Sequence, residues 1–138
     1  MDYILLNFLP ILLATVAGFA FGAVYYILLK RPYAQASGTD ETHRRSLSTY
    51  GVVFAAEFWL AAILAGALIL APSEASPAEM AVGSAMLIWV GFVMPVTVVN
   101  ARLALRPWSL ALIDSLHWLG VMVVQAAVML LVGVGAPA

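Results

Sequence analysis

The 138-residue sequence contains no cysteine, which excludes disulfides, thiolate zinc sites, iron–sulfur clusters and thiol nucleophiles together. Charge is scarce as well. Only 9% of residues are Asp, Glu, Lys or Arg against 64% hydrophobic, where a soluble domain carries roughly a quarter charged residues. A polar outer surface cannot be assembled from so few charges, so the apolar excess must face lipid. No phosphate-cradling glycine loop, nucleophile elbow or nucleic-acid-binding module is present. The stretches between apolar runs are too short to hold a soluble catalytic domain.

What the sequence does have is apolar length. A hydrocarbon core of about 30 Å takes roughly 20 helical residues per crossing, and runs over residues 3–29, 48–71, 77–103 and 108–132 are each long enough. They predict an all-α integral membrane bundle of four transmembrane helices in a single domain, 1–138. The first run opens with Met1 and Asp2 rather than the basic segment of a secretory signal and reads as a retained helix. Lys30 to Leu47 is polar and broken by Pro32 and Gly38, which predicts a surface connector. Pro72-Ser73-Glu74 ends the second run. Ser76-Pro77-Ala78-Glu79 then reads as a capping box with proline at the first helical position. Arg106-Pro107 makes an equally tight turn before the fourth run.

All six basic residues, Lys30, Arg31, Arg44, Arg45, Arg102 and Arg106, fall after the first helix or at the turn after the third. The opposite side holds Asp2, Glu74 and Glu79 and no Lys or Arg. The positive-inside bias therefore predicts both termini outside and two basic cytoplasmic loops.

An ionisable group in hydrocarbon costs at least ~2.5 to 3.5 kcal/mol, so Glu57, Asp114 and His117 need a reason. Counting about 1.5 Å per residue from the cytoplasmic ends puts Glu57 roughly 14 Å deep, His117 roughly 13 Å and Asp114 roughly 9 Å, with Asn100 shallower. Asp114, His117, Trp118, Val121 and Gln125 share one stripe of the fourth helix, and Trp89, Val93, Thr97 and Asn100 share one of the third. Glu57, Asn100, Asp114 and His117 are thus the candidate internal polar cluster, in which Glu57 and His117 exchange or share a proton. The blander alternative is helix packing, with a protonated Glu57 bonded to a neighbouring helix and Asp114 and His117 orienting each other.

Metal and haem are poorly matched. Asp-x-x-His is one helical turn without the Glu-x-x-His pairs of di-iron bundles, and His117 has no intramembrane histidine partner because His43 lies in the connector. No metal, other cofactor or nucleic-acid partner is expected, and no catalytic residue is assigned. Gly18 and Gly22, extended by Ala14, form a small-residue ridge that marks a helix contact, within one bundle or between protomers. Tyr25, Tyr26, Tyr33, Tyr50 and Trp108 read as an aromatic belt at the inner boundary.

The run Trp89-Val90-Gly91-Phe92-Val93-Met94-Pro95, followed by Asn100, Arg106-Pro107-Trp108 and Ile113-Asp114, resembles the family of small bacterial membrane proteins called domain of unknown function 1761. Gly22-Ala23-Val24-Tyr25-Tyr26 is similar to the Gly-x-x-Trp-Tyr that ends that family's first helix, with Tyr25 where Trp is usual. The Ser-Pro and Phe-Gly-Lys continuation usual in the family is replaced by Ile27-Leu28-Leu29-Lys30-Arg31. The resemblance spans essentially the whole chain and implies a four-helix domain of a bacterial inner membrane without an established activity. It also draws attention to Trp89, Pro95, Asn100 and Asp114. Pro95 would loosen the third helix in mid-membrane, freeing a carbonyl for a polar partner or a kink.

Two functional classes follow. One is a small channel or proton-coupled transporter, homo-oligomeric because four short helices enclose little volume. The other is a non-catalytic accessory or assembly subunit of a larger membrane complex. A membrane-embedded enzyme using a Glu–His pair on lipid or quinone ranks third.

Overall fold

The computed structural model describes residues 2–40, 45–71 and 76–136. Met1, His43, Arg44 and the Pro72-Ser73-Glu74 turn lie outside the described residues. The described residues form helices and no strand. Four segments, Phe8–Leu28, Leu47–Ile69, Pro77–Leu103 and Trp108–Val132, are long and apolar enough to cross a membrane, as lipid requires of a backbone that must bond to itself.

A short α1 (Asp2–Leu6) leads into α2 (Phe8–Leu28) across Asn7. Pro10 causes the break, because it lacks the N–H that would bond the Leu6 carbonyl. A further helix, α3 (Lys30–Ser37), occupies the first half of what the sequence presents as a connector. Pro32 and Gly38 delimit this helix instead of breaking it. Pro32 sits in the first turn, where an N–H has no intrahelical partner anyway, and Gly38 ends the helix in the left-handed conformation at φ 67°. Ala34, Ala36 and Ser37 of α3 are buried.

The second span is α4 (Leu47–Ile69), capped by Ser46, whose side chain accepts from the Thr49 N–H. The third begins at α5 (Pro77–Ile88) with the Ser76/Glu79 capping box in place: Ser76 N–H donates to Glu79 Oε2 at 2.9 Å, and Glu79 N–H to Ser76 Oγ at 3.3 Å. It passes through a π turn, Trp89–Val93, into α6 (Met94–Leu103). Pro95 explains that turn. With no N–H at Pro95 for the Gly91 carbonyl, the helix widens upstream, and the Met94 N–H reaches back five residues to the Trp89 carbonyl. At the C-terminus Leu105 adopts φ 55°, and Arg106 N–H donates to the Ala101 carbonyl at 2.9 Å. The last span is α7 (Trp108–Val132).

Helix α7 is the hub, touching α2, α4, α5, α6 and α3. Of its most apolar window 39% is buried within the chain, against 6% for the third span, so the third span lies at the periphery. The core is alanine-rich. Ile11, Ala14, Ala61, Ala62, Ala65 and Met129 form one cluster, and Leu64, Ala81, Ala85, Met122 and Ala126 a second. Small side chains bring helix backbones close, where dispersion replaces the hydrophobic effect that lipid cannot supply.

The two ends of the bundle are tied differently. At one, Asn7 Nδ2 donates to the carbonyls of Tyr3 (2.8 Å) and Gly135 (2.9 Å), and Gly135 N–H donates to Asn7 Oδ1 (2.8 Å). The N- and C-terminal segments therefore meet. At the other, Arg106 Nη1 donates to the Ser37 carbonyl at 2.7 Å, joining the turn after the third span to α3.

Candidate functional site

A cavity of about 510 Å³ lies among α2, α3, α4 and α7. Glu57 of α4 and His117 of α7 both line it and are only 1% and 4% exposed, which places them at its closed end. Lys30, Thr39, Asp40 and Arg45 also line it and are exposed, which places them at its mouth.

Glycines on α2 make this geometry possible. A Cβ at Gly22 would come within 2.7 Å of His117 Nε2, and one at Gly18 within 3.1 Å of Val121 Cγ1 and Gln125 Nε2. The small-residue ridge thus seats α2 within the protomer, on the α7 stripe that carries His117, Val121 and Gln125. Gly120 of α7 reciprocates, since a Cβ there would collide with the Phe21 ring.

His117 is packed among aromatic rings, with centroids 4.6 Å from Tyr26, 5.5 Å from Tyr25 and 5.2 Å from Trp118. Its Nδ1 and Oε2 of Glu57 are buried without a hydrogen-bond partner, as are Gln125 Oε1 and Ser115 Oγ. Gln125 Nε2 donates to the backbone carbonyl of Glu57 at 3.2 Å, linking α7 to α4. Such unpaired buried polar groups are rare in folded proteins because each carries its full desolvation penalty.

Asp114 is half-buried and engaged elsewhere. Tyr26 Oη donates to Asp114 Oδ1 at 2.8 Å, and Tyr25 Oη donates to the Ile113 carbonyl at 2.9 Å. Asp114 does not line the cavity but connects to it through Tyr26, which does. Asn100 is exposed on α6 and away from the cavity. The π turn accounts for this. One extra residue rotates every later position by about 100°, so Ala101 rather than Asn100 is buried. Trp89 keeps its inward role and donates Nε1–H to the Ser115 carbonyl at 2.7 Å, pinning the third span to α7.

Sequence reasoning placed Gln125 on the right stripe without assigning it to the cluster, and it read Tyr25 and Tyr26 as boundary aromatics. The pieces of the resemblance supplied the missing signal, because Gly22, Tyr25 and Tyr26 are the residues that meet His117, Ile113 and Asp114. Among the described residues no group of three or more His, Asp or Glu is placed to hold a metal ion.

Fold and site together define a multi-pass α-helical membrane protein with an aromatic-walled cavity that ends on a buried carboxyl and an imidazole. The chain belongs to the family described as protein of unknown function (DUF1761), which matches residues 9–130 and so reaches into all four spans. No curated protein and no solved structure matches it.

Proposed function

We propose that this chain is a proton-coupled transporter of the bacterial inner membrane, with both termini outside and the cavity mouth on the cytoplasmic side. The single observation that carries this reading is the pair of unpartnered buried atoms, Glu57 Oε2 and His117 Nδ1, on different helices of one cavity. Ionisable groups held in a membrane interior without a structural partner are suited to binding and releasing protons. Lys30 and Arg45 at the mouth, with Arg102 and Arg106 at the turn that bonds to α3, favour the cytoplasmic orientation.

The other half of the bundle is packed around Ile11, Ala14, Ala61, Ala65 and Met129, all fully buried. A cavity blocked at one end favours a carrier that alternates its access over an open channel. A second reading, an accessory subunit or a homo-oligomer docked through the third span, is favoured by that span's bare outer face, on which a Cβ at Gly83 or Gly91 would meet nothing within 4 Å. It predicts stable co-purification with foreign chains or a second copy.

The test of the first reading uses proteoliposomes with a trapped pH dye, to which small organic cations, neutral molecules and anions are added in turn. At least one class should trigger proton movement above protein-free vesicles, and Glu57→Gln should abolish it. Movement as fast in Glu57→Gln as in the unaltered protein, or none with any class, contradicts the proposal.

A further inference from the structure

Resting on the reading of Glu57 as a proton-binding group, we infer that the cavity takes a small aromatic or apolar molecule bearing one protonated amine, exchanged for one proton.

The closed end sets the chemistry. Glu57 Oε2 and His117 Nδ1 both lack a partner. A ligand group that completes them must donate to a carboxylate and to an imidazole nitrogen, and an ammonium, with three N–H donors, does both. The walls suit the rest of such a molecule. Phe19, Tyr26, Tyr50 and Trp118 line the cavity; aromatic rings attract a nearby cation through their quadrupoles and pack against an apolar body. A volume of about 510 Å³ lies within the range of small-molecule sites.

Among the described residues no packed element supplies Glu57 with a countercharge. From α2 and α4, Tyr26 and Tyr50 contribute phenols, and α7 contributes His117, while Asp114 is engaged by Tyr26. Lys30 and Tyr33 of α3, with Arg45 and Asp40, stand at the mouth, and α5 and α6 contribute nothing to the cavity. An unneutralised charge at the closed end is expensive, so the site holds a proton whenever it holds no cation. The exchange balances: Glu57–COOH and R–NH3⁺ give Glu57–COO⁻ paired with R–NH3⁺, and one H⁺ leaves to water. The closed end carries no net charge in either state.

The mouth limits the ligand further. Arg45 Nη2 donates to Tyr33 Oη at 2.9 Å, and its guanidinium lies 5.4 Å from the Tyr33 ring centroid; Asp40 has an interaction of its own. A second positive charge on the ligand would meet Arg45 and Lys30, which selects against diamines.

The test is calorimetric titration of the purified chain with benzylamine, benzyl alcohol and para-xylylenediamine, with proton release read by a dye in weak buffer. Benzylamine should release about one proton on binding. Benzyl alcohol should bind at least about tenfold more weakly, as should benzylamine to Glu57→Gln, through loss of the charge-assisted pair. The diamine should bind more weakly than benzylamine. Benzyl alcohol binding as well as benzylamine, no benzylamine binding, or binding without proton release overturns the inference, and these comparisons use the unaltered protein, so they do not hinge on a variant's folding. The vesicle assay separates this inference from its foundation. Glu57-dependent proton movement triggered by neutral or anionic solutes but not by benzylamine sinks the amine and leaves the transporter. Benzylamine binding with proton release, but no proton movement across the bilayer, sinks the transporter and leaves the site.

Discussion

The half of the bundle that holds the termini and the half that holds the connectors treat buried polarity in opposite ways. In the terminal half, Asn7 is 3% exposed and uses both amide hydrogens and its carbonyl oxygen in hydrogen bonds. Thr15, also buried, donates Oγ1–H to the Ile11 carbonyl. In the connector half, Glu57 and His117 are equally buried, line an aromatic-walled cavity, and each keeps one buried atom without a partner. Polar groups that serve stability are closed off by their partners, whereas an open pair is held in place by its surroundings at a net cost.

Substitutions in the two halves should therefore have opposite signatures. The largest effect on stability is expected from Asn7→Ala, which strips the Gly135 backbone of both its partners. About 2–4 kcal/mol should be lost in denaturant titrations in detergent, with solute-triggered proton movement unchanged in the fraction that remains folded. Gly22→Ala comes next, since the new methyl group must displace His117. It should lose about 1–3 kcal/mol and, unlike Asn7→Ala, weaken proton movement as well. A stable and active Gly22→Ala would show that the α2–α7 contact does not position the imidazole.

The smallest change lies in the turn after the third span, away from the cavity. Leu105 sits in the left-handed region that a side chain resists, so Leu105→Gly should gain about 0.5–1 kcal/mol. It should do so with no effect on proton movement, and thermal unfolding followed by circular dichroism would register it.

The four spans were legible because lipid imposes a length of about 20 apolar residues that soluble folds do not. The capping box at Ser76 and Glu79 was legible because it is a purely local device. Three features escaped for physical reasons. Helix α3 was hidden because Pro32 and Gly38 break helices in mid-turn but start and stop them at the ends, and only their offset from Lys30 and Ser37 decides between the two. Asn100 was placed inward because a 3.6-residue stripe takes the helix as uniform, and the π turn before Pro95 shifts its register. Tyr26 looked like a boundary aromatic because its bond to Asp114 depends on how α2 is rotated against α7, which Gly18 and Gly22 set through packing. Glu57 and His117 were visible as anomalies of composition; their common cavity was not, because helix order around a bundle is absent from any single helix's periodicity.

On the proposed reading Glu57 and His117 form one proton-binding unit at the closed end of the cavity. Infrared difference spectroscopy across a pH titration, with Glu57→Gln assigning the Glu57 carboxyl band, tests it most directly. His117→Ala should shift both the frequency of that band and the pH at which it changes. A Glu57 band that titrates identically with and without His117 would contradict it.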